Sequence, residues 1–138
     1  RFWIAAGATI VSHSTSRTML QRVVDRRWTL APDRLEGRRA ASPFRFRPVR
    51  DSLVLAGGAV TLYPIDGIAS EGALMGWLRE PRFLWASDFI QDPSHPTLYT
   101  TEVWQAARRS GLAPLTAAAQ HFPPTPWKQI EALAAGQP

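Results

Sequence analysis

Asp88 and His121 each close an apolar run, "FLWAS" (83–87) and "LTAAAQ" (115–120), and each opens a polar stretch. A carboxylate oxygen and an imidazole nitrogen at strand ends are donors suited to a borderline cation such as zinc. Zinc takes three or four protein ligands. The C-terminal edge of an open sheet is also where such folds commonly place their sites. Asp88 has a plainer reading as well, because a strand-end Asp hydrogen-bonds its own backbone and turns the chain. On the residues alone, both readings stand.

Other chemistries are harder to build. The chain has no cysteine, which excludes disulfides, thiolate metal sites and a cysteine nucleophile. "ASEG" (69–72) comes near the nucleophile elbow G-x-S-x-G without matching it, and three histidines offer no evident triad. There is no P-loop, and "GATIVS" (7–12) lacks the glycine spacing of a dinucleotide fold. Nothing singles out a pair of carboxylates.

The elements that must position Asp88 and His121 follow from pattern. "AGATIVSH" (6–13) reads as a strand and "STSRTMLQRVVDRRW" (14–28) as a helix. In the helix Met19, Leu20, Val23, Val24 and Trp28 recur at helical spacing, with Ser14 or Ser16 as cap. Residues 29–43 read as a loop with one turn at "PDRLE". "FRFRPV" (44–49) alternates apolar and basic residues, so one of its faces is expected in water. "SLVLAGG" and "AVTLYPIDG" form a hairpin across Gly57-Gly58, and "GALMGWL" and "RFLWASD" are two more strands. "TTEVWQAARRSG" (100–111) is a helix capped by Thr100 or Thr101 and ended by Gly111. "LTAAAQH" is a strand, "PPTP" (123–126) a rigid break and "WKQIEALAAG" a closing helix.

At 138 residues the chain suits one domain, 1–138, with 45% hydrophobic and 20% charged residues. No apolar stretch approaches the roughly 18 residues of a membrane span. The net charge of +5 is unevenly placed, since residues 1–50 hold eleven Arg against three acids. These arginines are scattered among Pro, Trp and Leu, without a Lys/Arg block, so a solvated Arg-rich face is expected rather than a nucleic-acid partner.

Taken together, the segments resemble the C-terminal half of metallo-β-lactamase-fold hydrolases. "VTLYPIDGIASEGALMGWLREPRFLWASDF" (60–89) is similar to that family's strand, turn, middle metal-binding His, two strands and metal-bridging Asp. "GLAPLTAAAQHFPPTPW" (111–127) resembles its final strand and terminal His ligand, and "AAGATIVSHSTSRTML" (5–20) the segment behind its main metal motif. The resemblance implies Asp88 as the bridging acid and His121 as the last His ligand of a zinc site. It also marks two departures. Ala69 stands where the middle His is expected, and the His-x-His-x-Asp-His motif, which would precede Arg1, is absent.

In the family, one metal takes the first two His of that motif and the middle His. The other takes the motif's Asp and last His with the terminal His, and the bridging Asp touches both. Ala69 therefore weakens the first site, while Asp88 and His121 serve the second. Glu71, beside the lost His, is a conceivable substitute oxygen ligand. His13 has no ligand role in the family pattern, and His95 reads as a loop residue rather than a ligand, on a loop whose equivalent lines the family's active site. The implied fold is α/β, the C-terminal half of a four-layer αββα sandwich with a mostly antiparallel sheet and flanking helices. Half a sandwich leaves one sheet face without its partner, so a missing N-terminal half, a partner chain or self-association is expected to cover it. The implied activity is metal-dependent hydrolysis of a small-molecule substrate, with these residues alone inactive. The alternative is a metal-free relative acting as a binding or scaffold module.

Overall fold

A computed structural model describes residues 1–91, 95 and 97–135. The chain divides into two compact units, Arg1–Val49 and Arg50–Pro138.

In the first unit, β1 (Thr9–His13) pairs in parallel with β2 (Arg45–Val49), from Thr9 opposite Arg45 to His13 opposite Val49. Two helices accompany them, α1 (Phe2–Ala5) and α2 (Arg17–Asp25). The second helix is shorter than its periodicity predicts. Arg26 turns to an extended ψ of 129°, so Trp28 falls outside it, and neither serine caps it through its side chain. A 3₁₀ turn at Ser14–Ser16 precedes it, and there His13 Nδ1 accepts from the Thr15 amide instead. Of the five apolar positions only Val24 is buried, beside Ile4, Ala5 and Leu35, while Met19 and Val23 face solvent. The turn expected at "PDRLE" is present, closed by the Glu36 amide donating to Asp33 O at 3.1 Å, and a 3₁₀ segment at Glu36–Ala41 continues from it.

A core this small needs polar reinforcement, and arginines supply it. The Arg1 side chain, 5% exposed, donates to the carbonyls of Val23, Val24 and Arg26 at 2.9–3.0 Å. Arg39 donates to the Val24 and Arg26 carbonyls as well. These carbonyls belong to the end of α2, which no intrahelical donor reaches, and a cation there also suits the helix dipole. Asp33 and Glu36 neutralise the pair: Arg1 Nη2 lies 2.9 Å from Asp33, and Arg39 Nη2 lies 2.8 Å from Glu36.

The second unit is a six-stranded sheet in the order β3-β4-β5-β6-β7-β8. Its strands are β3 (Leu53–Leu55), β4 (Val60–Pro64), β5 (Leu74–Leu78), β6 (Phe83–Trp85), β7 (Thr116–Ala119) and β8 (Phe122–Pro126). All neighbours are antiparallel except β6 and β7, which run parallel. A parallel pair needs a crossover, and α3 (Leu98–Arg109) lies within it. That helix starts a turn before the expected caps, with the Thr97 hydroxyl accepting from the Thr100 amide at 3.2 Å. The closing helix α4 spans Trp127–Ala135. "PPTP" is no break but the body of β8. Proline is tolerated there because β8 is an edge strand, bonded only to β7 across an irregular register.

The register sorts the side chains into two faces. Trp77, Leu84 and Ala117 stand opposite one another and are buried with Val103 and Ala107 of α3 and Ile130 of α4. The other face is also apolar. Leu62, Leu78 and Phe83 are half-buried there, and Trp85 is 42% exposed. A sheet with one face meant for water alternates apolar with polar residues; this one does not.

The Arg1–Asp33–Glu36–Arg39 network predicts a pH dependence. The Arg39 guanidinium, the Trp28 amide and Arg27 hold Glu36 down from the usual 4.5 to about 2, against an opposing push from burial. Arg1 likewise holds Asp33 well below the carboxylate range. Carboxyls depressed by folding stabilise the fold above their unfolded values, and that stabilisation is lost as pH falls toward the folded ones. The melting temperature is therefore expected to drop between pH 5 and pH 2, and Glu36→Gln to flatten that drop. Equal slopes for the two proteins in thermal melts would count against the network.

Candidate functional site

Because β5 is antiparallel to both its neighbours, β4 and β6 point the same way, and β7 is parallel to β6. The C-terminal ends of β4, β6 and β7 therefore open on one edge of the sheet. The loops leaving them carry Ala69, Asp88 and His121 in turn.

The exits of β6 and β7 are tied together by backbone hydrogen bonds. The Ala86 amide donates to Ala118 O at 2.9 Å, and the Gln120 amide donates to Ser87 O at 2.6 Å. Between them Ser87 takes a left-handed φ of 52°. Such a conformation costs a non-glycine residue about 1–3 kcal/mol and persists only where its surroundings impose it. Here it turns the chain so that Asp88 meets His121: Asp88 Oδ1 and His121 Nε2 lie 3.6 Å apart, with side chains 50% and 66% exposed. Two donors each about 2.0–2.1 Å from one tetrahedral zinc stand roughly 3.3 Å apart, so the pair is spaced to share an ion. As an exposed ion pair it is worth little on its own.

A hollow of about 250 Å³ adjoins Asp88, lined also by Ala69, Phe89, Gln91 and Tyr99. Ala69 is thus beside Asp88, where its methyl group offers no donor. Glu71 is exposed. Among the described residues no three His, Cys, Asp or Glu gather as a metal site. Two well-spaced donors without a third do not make a zinc centre, and no reaction step can be derived from them through a metal. His13 is buried with Nδ1 2.7 Å from Thr15 Oγ1. His95 is exposed, and the neighbouring Asp92, Pro93, Ser94 and Pro96 lie outside the described residues.

One part of the edge escaped the sequence. Glu102 of α3 is 4% exposed, and its carboxyl oxygens accept from the Ala69 amide at 2.9 Å and from Ser70 Oγ at 2.6 Å. Two turns further along α3, Arg109 donates to Ile65 O at 2.6 Å. The helix thereby holds the loop after β4 at its start and at its middle. The only sequence signal was an acid adjoining the apolar stripe of Val103 and Ala107, which a solvated helix face explains equally well.

This sheet, its flanking helices and its edge define a mixed α/β fold of the metallo-β-lactamase type. Solved structures with the same architecture include DIM-1 metallo-β-lactamase, alone and exposed to ceftazidime, each at a TM-score of 0.64 and 9% identity. TMB-1 matches at a TM-score of 0.64 and 10% identity. The match covers 97% of this chain but only 58–59% of the length of those structures. No protein-family model matches the chain, and no curated protein matches it in sequence. Among the described residues, no helix is long and apolar enough to cross a membrane.

If Asp88 and His121 serve a ligand rather than the fold, removing either has little effect on folding. Asp88→Ala and His121→Ala are each expected to change stability by less than about 0.5 kcal/mol. Urea denaturation checks this, and a loss above about 1.5 kcal/mol would return the pair to the role of structural loop residues.

Proposed function

We propose that this chain is a portion of a metallo-β-lactamase-type hydrolase domain, to which it lends Asp88 and His121 as zinc ligands. The observation that carries this reading is the placement of two donors 3.6 Å apart on exposed strand exits. A strained Ser87 sustains that arrangement, for which the fold has no evident structural need. The share of the relatives' length that the chain spans supports a larger whole. So does the second apolar sheet face, whose occupant is then the remaining half of the sandwich, in the same chain or supplied by another. Catalysis by residues 1–138 alone is not expected, because the donor set is short. The chemistry proposed for the whole is hydrolysis of a small molecule with an ester, thioester, amide, lactam or phosphoester bond, zinc acting as Lewis acid. Residues 1–138 are read as one domain within it.

Ala69 favours a second reading, a metal-free relative in which this edge has become a binding or scaffold surface. Its methyl group lines the hollow beside Asp88, at the position where the resemblance expects a ligand.

Zinc titration of paired variants separates the readings. Ala69→His supplies a third donor beside the existing two, and is expected to tighten zinc binding about tenfold or more over the parent chain. Adding His121→Ala should cancel the gain. No gain in Ala69→His would mean that the three positions do not converge on one ion, and the scaffold reading would replace the hydrolase.

A further inference from the structure

We infer that Glu102 is the positioning residue for position 69, holding the loop of residues 67–70 from inside the fold where a bound cation would hold it from outside. Its functional meaning rests on the proposed hydrolase reading; its geometry does not. Both carboxyl oxygens are used, one by the Ala69 amide and one by the Ser70 hydroxyl. Ser70, 1% exposed, in turn accepts from the Gly67 amide at 3.0 Å, so two links run from the helix into the loop and a third closes within it. Gly67 is the cradle. A methyl group there would overlap Glu102 Cδ and Oε2, and its φ lies outside the left-handed region, so space rather than conformation demands glycine. Arg109, seven residues after Glu102 and on the same side of α3, fixes the loop's start through Ile65 O.

A carboxyl side chain as buried as Glu102 that bonds only to a loop backbone and its serine does not add to the apolar core. What it fixes is the height of residue 69 at the edge that carries Asp88. A loop pinned in this way needs no metal to hold its shape. It would present a ligand at position 69 already placed, and it presents Ala69 in the same place.

Amide hydrogen exchange tests this directly. Glu102→Gln keeps the side chain's size but leaves one carbonyl oxygen for two donors. In this variant the Ala69 amide is expected to exchange about tenfold faster or more, while the Ala86 amide, bonded to Ala118 O within the sheet, changes less than about twofold. Uniform acceleration at both would mean that Glu102 supports the fold at large, and the inference would fall. Should Glu102→Gln not fold, Ser70→Ala decides the same question: faster exchange at Gly67 and Ala69 sustains the inference, and unchanged exchange overturns it. In the Ala69→His background, Ser70→Ala should weaken zinc binding about tenfold by loosening the new ligand. If Ala69→His takes up no zinc at all, the metal reading fails, and the exchange result still decides for or against Glu102.

Discussion

The parallel pairing of β6 and β7 is the constraint on which the rest of this fold depends. Antiparallel neighbours put successive strand exits at opposite edges, so two exits meet side by side only where the chain crosses over and returns in the same direction. Here the register of Phe83 opposite Thr116 through Trp85 opposite Ala118 places the exits level, and the bond from the Gln120 amide to Ser87 O locks them. Asp88 and His121, 33 residues apart in the chain, become neighbours for that reason. The crossover has a second consequence. It lays α3 along the sheet, where Val103 and Ala107 seal the core while Glu102 and Arg109 reach the loop after β4. One connection thus supplies packing, the meeting of two donors and the support of the third position.

At the edge itself, Glu102 and Ser70 hold the loop through the backbone of residue 69 whatever its side chain. The shape of the loop and the chemistry of the side chain it presents are therefore separable. Stability is drawn from elsewhere: in the first unit from arginines bonded to the end of α2, and in the second from the core between the sheet and its two helices.

Much of this is legible in the sequence where one force dominates. Apolar runs bounded by glycine and proline mark five of the six strands of the second unit, and apolar side chains on both sheet faces are why those runs are nearly continuous. Asp88 and His121 stand out because a polar residue ending an apolar run is an edge residue in any sheet. "PPTP" misleads because proline's missing amide argues against a strand, yet an edge strand has one row of amides with nothing to bond. The periodicity of residues 14–28 overstates the helix because it continues past the point where Arg1 and Arg39 take over the terminal carbonyls. Glu102 is invisible, since its role depends on the absent side chain of Gly67, 35 residues away. No local pattern encodes that distance.

Native mass spectrometry of the protein from its own cells, under conditions that preserve complexes, tests the central claim most directly. If the proposed reading holds, these residues are expected to appear in a species well above their own 15.3 kDa, as a longer chain or bound to a complement. That species should also carry zinc. A folded, metal-free monomer of 15.3 kDa would contradict the claim.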